Sequence, residues 1–546
     1  MKALLLPESR DDFGRKREMK RREGERKLMK PYSYLITADH IAGGNNKFWA
    51  ACGTDSLYAQ IGTEDGKDLL KRMQDKGTCR YLRNHHTLSS LMKDGFPDAG
   101  GDVYSEDTDG NPIYQFEKIN DVFRTYLEYG IKPIVELDFI PDQLSRKVAG
   151  GGEEEGIYLN RSYPNDWNKW HRLLKAFVKN LADTFGTEEI RAWYFEVWNE
   201  PDGWPVEDWP QFHRMYDIFA DAVLSVDRQL KIGGPGSFKQ DFLHDFLEHV
   251  CNGINWITGE RGTRIDFISH HIYGMSGSWL DEYPLVMPSV QRFNQEILWL
   301  SRLIGSYPQL EGAEFHLNEW GVCSHYEKKA GDYPALEIRN SEFSACFFVK
   351  LTDCIRQIGR QFGFEVSLML YWGFCLEAVR GECFAGNRDL MTVSCIPKPI
   401  QMSFEMMGMM GSHLLQTEGR NAGGPVGCMA AGEGNEMQLL LYHFDETEQY
   451  EETAEGEIKI AGLMDGTYRI RRMLLDREHH NTYRMWQKYG SPERPEGDVL
   501  KKIKAAGEFS WDGEDSVEVQ GGMLEIKQAL PVQSIIFFSI GKTEEL

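Results

Sequence analysis

Apolar residues fall along this chain in two rhythms. From about residue 45 to 415, short unbroken apolar runs alternate with longer stretches in which apolar residues recur every three or four positions. The runs are FWAACG (48–53), YLRNHH (81–86), KPIVELDF (132–139), AWYFEVWNE (192–200), KIGGPG (231–236), RIDFISHHIY (264–273), EFHLNEWG (314–321) and EVSLMLYW (365–372). Continuous runs of this kind mark strands buried on both faces. The stretches between them, such as DLLKRMQDKG, FEKINDVFRTYLEYG, NDWNKWHRLLKAFVKNLADTFG and SVQRFNQEILWLSRLIG, have helical period. Eight strand-then-helix units predict an α/β chain folded as a (β/α)8 TIM barrel over 45–415. A doubly wound open sheet is the competing fold. It normally carries a glycine-rich phosphate loop, and Gly233-Gly234-Pro235-Gly236 has neither the GxGxxG nor the Walker spacing.

After residue 416 the rhythm changes. MQLLLYHF, GEIKIAG, TYRIRRMLL, SVEVQ, MLEIKQ and SIIFFSI are short, β-rich and punctuated by Gly or Asp. They predict an accessory β-sandwich over 416–546. SYLITADHIAG (33–43) also reads as a strand, and the span 31–44 is expected to join that sandwich although it precedes the barrel. Residues 1–30 follow neither rhythm. They carry 11 Lys or Arg against 6 Asp or Glu, which predicts a solvated basic extension.

Charge and composition narrow the function classes. The net charge is −23, so excluding the first 30 residues leaves −28. Such a surface repels phosphate backbones and excludes a nucleic-acid partner. No run of eighteen apolar residues occurs, so no membrane span is expected. The ten cysteines include no CxxC pair. They read as buried free thiols of a cytoplasmic protein. Aromatics make up 12% of the chain, which suits stacking on sugar rings and equally suits a large core.

Two motifs carry candidate chemistry. FEVWNEPD (195–202) places Glu200 at the C-terminal end of the fourth strand, before the chain-breaking Pro201. The C-terminal strand ends form the working face of such barrels. FHLNEWG (315–321) places Glu319 at the end of the seventh strand. A lone strand-end glutamate is most often a salt-bridged structural residue. Two of them across one barrel mouth suit a pair flanking a glycosidic bond, one protonated to assist the leaving oxygen and one ionised to attack. Asn199 can donate to and accept from a sugar hydroxyl. The pairs His85-His86 and His270-His271 invite a metal reading, but neighbours on a strand point to opposite faces, so a pair chelates one ion poorly.

With these motifs in order, the chain resembles glycoside hydrolase family 39, whose best-known members are β-xylosidases, with α-L-iduronidases as relatives. YLRNHH, KPIVELDF, WYFEVWNEPD, KIGGPG, DFISHHIY, the NE strand, YWGF and IPKP (396–399) carry the resemblance, as does MWQKYGSPERP (485–495) beyond the barrel. It implies a retaining exo-glycosidase without cofactor or metal, with Glu200 as acid/base and Glu319 as nucleophile. It further implies Asn199 at the 2-hydroxyl, His85 on the other sugar hydroxyls, His271 and Tyr273 facing sugar and nucleophile, and Phe139 and Trp372 as walls. The expected substrate is a small oligosaccharide or glycoside, with xylose ahead of glucose, galactose or arabinose. A non-catalytic sugar-binding barrel is the reading from another class. The family's association behaviour implies a possible homo-oligomer.

Three departures bear on the sugar. YWGFCLEAVRGECF (371–384) is shorter than the family's acidic stretch, which leaves Glu377 or Glu382 to replace a sugar-binding glutamate. Trp320, Gly321, Val322 and Cys323 follow Glu319 in place of a polar run. Asp138 stands where a glycine is usual, either to accept from an extra hydroxyl or to cap a loop.

Overall fold

A computed structural model describes residues 31–55, 62–89, 103–146, 162–203, 208–283, 286–325, 328–374, 376–420, 424–446 and 453–543. The 1–30 extension expected from the sequence lies outside them. In chain order the strands are β1 (Tyr32–Gly44), β2 (Ala51–Thr54), β3 (Tyr81–Asn84), a small hairpin of β4 (Tyr104–Glu106) and β5 (Pro112–Tyr114), β6 (Lys132–Leu137), β7 (Tyr194–Val197), β8 (Lys231–Ser237), β9 (Phe267–Met275), β10 (Glu314–Cys323) and β11 (Leu368–Trp372). Each of the eight apolar runs contributes one strand to a closed parallel barrel, ordered β10-β11-β2-β3-β6-β7-β8-β9. The helical-period stretches fold as Glu64–Lys76, Glu117–Glu128, Trp167–Phe185 and Val290–Gly305. Side-chain oxygens cap three of them, from Thr63, Asp166 and Ser289.

Barrel strands alternate their side chains between two environments. On β7, Phe195 and Val197 join the large core beneath the helices, while Tyr194 packs inside the barrel with Ala51, Ile134, Phe267, Leu368 and Leu370. That inner apolar plug closes one end. Above it the interior turns polar: Arg83, Glu136, Glu196, Ser269 and Asn318 are all buried.

Beyond the short pairing of β12 (Met391–Thr392) with β13 (Ile396–Pro397) lie β14 (His413–Arg420), β15 (Val426–Glu433), β16 (Glu436–His443), β17 (Ala454–Ala461), β18 (Gly466–Leu475), β19 (Gly513–Val519), β20 (Met523–Leu530) and β21 (Ser534–Lys542). With β1 they make a nine-stranded sheet, ordered β19-β18-β21-β16-β15-β14-β1-β17-β20. β1 sits between β14 and β17, antiparallel to the first and parallel to the second. Only His413 and Leu414 of β14 pair with β15, which lets the two halves fold over one core. Tyr34, Ile36, Ile458 and Ile460 of one half meet Leu439, Leu441, Ile536 and Phe538 of the other there. Since β14 begins at His413, the sheet takes in the last residues of the 45–415 span.

Alternate residues on the other face, among them Leu440, Tyr442, Ile535 and Phe537, join the barrel's core. Tyr442 donates to Asp353 at 2.6 Å, and Glu446 accepts from Ser289 Oγ and Val290 N at the start of helix Val290–Gly305. The sheet thus buttresses the barrel flank.

Candidate active site

The two glutamates reach the same point by different local devices. Glu200 stands three residues past β7, in a turn where Trp198 (φ 68°) and Glu200 (φ 47°) both adopt left-handed backbone. That conformation costs of order 1 kcal/mol or more per residue and tends to collect at functional sites. The turn is held by Glu200 N–H donating to Gly236 O at 3.0 Å and Gly203 N–H donating to Glu200 O at 2.8 Å. Gly236 has φ 61°, and a Cβ there would stand 3.4 Å from Arg83 Nη2 and 3.5 Å from His271 Nε2. Glycine is therefore favoured at this crossing by its left-handed backbone, while a Cβ would make only ordinary contacts.

Glu319 is placed by a β-bulge. Opposite β9, Leu317 pairs with His270 and Glu319 with His271, so Asn318 is an extra residue. Without it, Asn318 and Glu319 would face opposite ways. With it, both turn inward: Asn318 Nδ2 donates to both oxygens of Glu196 at 2.9 and 3.0 Å, and Glu319 meets Arg83.

Around Glu319 the contacts are dense. Arg83 Nη1 lies 3.1 Å from Oε1, Tyr273 donates to Oε2 at 2.9 Å, His271 Nδ1 lies 3.5 Å from Oε2 and His85 Nε2 lies 3.7 Å from Oε1. Its side chain is 5% exposed, against 24% for Glu200. Burial raises the Glu319 pKa above the ordinary carboxylate range and Glu200 adds to the rise, while His271, Arg83 and Arg388 oppose it.

His271 bridges the pair, its Nδ1 2.9 Å from Glu200 Oε1. Burial, aided by Arg83, pushes its pKa down to about 4, so the ring is neutral near pH 7. Oxygens of Glu200 and Glu319 and a ring nitrogen of His271 all lie within 4.8 Å of one another.

The resemblance also pointed to flanking residues. Asn199 is buried, and its Oδ1 accepts from Arg83 Nη2 at 3.1 Å. His85 is tied to Glu136 at 2.9 Å and packs on Trp372 with ring centroids 4.4 Å apart. Burial holds the His85 pKa well below its usual value. Trp372 donates to Asp55 at 2.8 Å and lies flat across Gly53, where a Cβ would collide with the indole. Phe139 stands edge-on to Trp198 and packs near His85.

The contacts of Glu377, Glu382 and Asp138 bear on the altered positions. Glu377 is fully buried in an ion pair with Lys398 at 2.7 Å, and its Oε1 also accepts from Asn387 N at 2.8 Å. With no exposed surface, its Oε1 braces a turn, while its Oε2 is buried without a hydrogen-bond partner. Glu382 pairs with Lys329 at 2.6 Å. Asp138, left open between sugar ligand and loop cap, is the cap: its two oxygens accept from His86 N and Thr87 N at 3.2 Å each, with no exposed surface. Burial raises its pKa to about 7.

Sequence reasoning missed Arg83, Glu136, Glu196 and Arg388. Arg83 is fully buried and reaches Glu136 at 3.0 Å, Glu196 at 2.7 Å and Glu319 at 3.1 Å. Ser269 also donates to Glu196. The signal was an arginine in the middle of an apolar strand, since a buried arginine needs buried acceptors. His85, Glu136 and Asp138 hold donor atoms close enough for an ion. However, Arg83 already supplies positive charge beside Glu136, and backbone N–H groups engage both Asp138 oxygens.

Paired carboxylates at the C-terminal mouth of a parallel eight-stranded barrel are an arrangement that glycoside hydrolases use. The family model for glycosyl hydrolases family 39 matches residues 34–523, and the chain belongs to that family. It is 26% identical over 490 residues to a beta-xylosidase of Geobacillus stearothermophilus, covering 85% of this chain and 88% of the relative. It is 24% identical over 495 residues to a beta-xylosidase of Caldicellulosiruptor saccharolyticus, covering 89% and 92%. Among solved structures, a monomeric beta-xylosidase from Caulobacter crescentus CB15 shares the fold with a TM-score of 0.76 at 22% identity, covering 94% of this chain and all of that one. Among the described residues, no helix is long and apolar enough to cross a membrane.

Proposed function

We propose that this glycoside hydrolase is a retaining exo-β-xylosidase acting on small oligosaccharides, with Glu319 as nucleophile and Glu200 as acid/base. The observation that carries the mechanism is the close approach of the two carboxylates, one oxygen of each lying within 4.8 Å of the other. Retaining enzymes hold their pair about 5–5.5 Å apart, while inverting enzymes leave about 6.5–9.5 Å for a water.

The environments support the division of roles. Glu319 is gripped at both oxygens by donors, one of them a permanent cation, which favours the ionised form that attacks. Glu200 is the more exposed carboxylate and leans on a neutral imidazole, which allows it to carry a proton. In the first step Glu319 bonds to the anomeric carbon as the leaving oxygen takes the Glu200 proton. In the second, Glu200 takes a proton from water, which displaces Glu319 from the sugar. Asn199, His85, Tyr273, Phe139 and Trp372 would line the sugar subsite. The xylose preference draws on the two beta-xylosidase relatives.

The test is Glu319→Gly with added azide. Turnover of an aryl glycoside should vanish and return in part with azide, giving an azido-sugar of inverted configuration. Unaided turnover near the wild-type rate would remove the nucleophile assignment.

A further inference from the structure

We propose that Arg388 is a positioning residue for the reaction: by fixing which way the Tyr273 hydroxyl points, it holds Glu319 in the orientation and charge state that attack requires. The proposal rests on Glu319 being the nucleophile, as argued above.

Arg388 lies four residues beyond the 371–384 stretch in which a sugar-binding glutamate was expected. It is only 7% exposed. Its Nη1 donates to Tyr273 Oη at 3.1 Å and to the main-chain oxygen of Ser324 at 3.1 Å. Its Nη2 faces the two oxygens of Asp55 at 3.5 and 3.2 Å. Asp55 also accepts from Trp372 Nε1. Tyr273 then donates to Glu319 Oε2 at 2.9 Å. A continuous chain thus runs from Asp55 through Arg388 and Tyr273 to Glu319.

The direction of that chain follows from donor and acceptor chemistry. A guanidinium has no acceptor. Its N–H occupies lone-pair space on the Tyr273 oxygen, so the single phenolic proton must point away, toward Glu319. Arg388 therefore makes Tyr273 an obligatory donor to the nucleophile, which favours the carboxylate over the acid. No proton leaves Tyr273 or Arg388 in this arrangement. The other charged or titratable groups facing Glu319 are Arg83 on β3, His85 beyond it, His271 on β9 and Glu200 beyond β7. Arg83 is shared with Glu136 and Glu196. Asp55, the anion that pairs with Arg388, bonds on its other side to the Trp372 indole, one link further from the nucleophile.

The experiment is a double-mutant cycle read by pH profile, on the aryl glycoside that the wild-type protein turns over fastest. Arg388→Met should lower kcat/KM about tenfold or more and move the acid limb of its pH profile upward. Tyr273→Phe should do the same. The combined variant should be within about threefold of Tyr273→Phe alone, because both remove one interaction. Arg388→Lys, which keeps a charged donor, should restore most of the limb. Arg388→Gln, which can accept as well as donate, should not, and it carries the same prediction if the Met variant fails to fold. An unmoved limb in the Met and Gln variants, or losses that multiply in full in the combined variant, would overturn the proposal. Glu319→Gly is run alongside. Absence of azide rescue would take down the nucleophile assignment and this proposal with it. Rescue together with an unmoved limb would take down this proposal alone.

Discussion

The guanidinium of Arg83 and the carboxylate of Glu319 meet at 3.1 Å with almost no exposed surface on either side chain. The same guanidinium also holds Glu136 and Glu196, so one cation serves three buried carboxyl groups, and burial does not deprotonate it: the Arg83 pKa is raised, its carboxyl neighbours outweighing the opposing effect of burial.

Arg83→Met should therefore destabilise the protein by about 3–5 kcal/mol, since it strands buried charges. Lys71→Ala, which removes an exposed pair with Asp75, should cost about 1 kcal/mol or less. Denaturant midpoints of the two variants against wild type check this, and similar shifts for both would contradict the buried network.

Glu200→Ala should separate substrates by leaving group. Aryl glycosides with acidic phenols need no proton and should still form the glycosyl-enzyme, while disaccharide cleavage should drop about 10²–10⁴-fold. Initial rates on the two substrate types decide it, with equal losses counting against the acid/base role.

The acid limb of kcat/KM should lie above the usual carboxylate range near about 4.3. The sign follows from Glu319: its pKa is raised, and below that pKa the group is protonated and cannot attack. The same shift means that ionising Glu319 costs folding stability, a cost present above the raised pKa and lost as pH falls through it. Rates from pH 4 to 8 on a substrate needing no acid assistance isolate this limb. A limb at or below the ordinary value would show that Arg83 and Tyr273 outweigh burial.

Xylosides should lead a panel of matched aryl xyloside, glucoside, galactoside and arabinoside. Exclusion of one CH2OH by shape is worth roughly 10–200-fold in kcat/KM. Asp138 is engaged as a loop cap, which leaves the run after Glu319 and the 371–384 stretch as the departures that bear on the sugar. A hexoside faster than the xyloside by over about tenfold would reassign the sugar and leave the two-glutamate mechanism intact.

The eight barrel strands, the sheet-forming tail and the place of Glu200 just past the fourth strand were legible in the sequence, whereas the strand expected to end at Glu319 runs on to Cys323. They are local features: apolar runs report strands buried on both faces, and a Glu at the end of such a run must lie near the barrel mouth. What the strand period could not show was that Asn318 is a bulge residue, which turns Glu319 onto the same inner face as its neighbour. Nor could it show that Glu377 is spent on Lys398 and Asp138 on two backbone N–H groups, or that Arg83 gathers anions from three other strands. Those outcomes belong to the tertiary structure. Burial is written into the period of each segment, but the partner that a buried charge must find lies far along the chain, and only the closing of the barrel decides which one it meets.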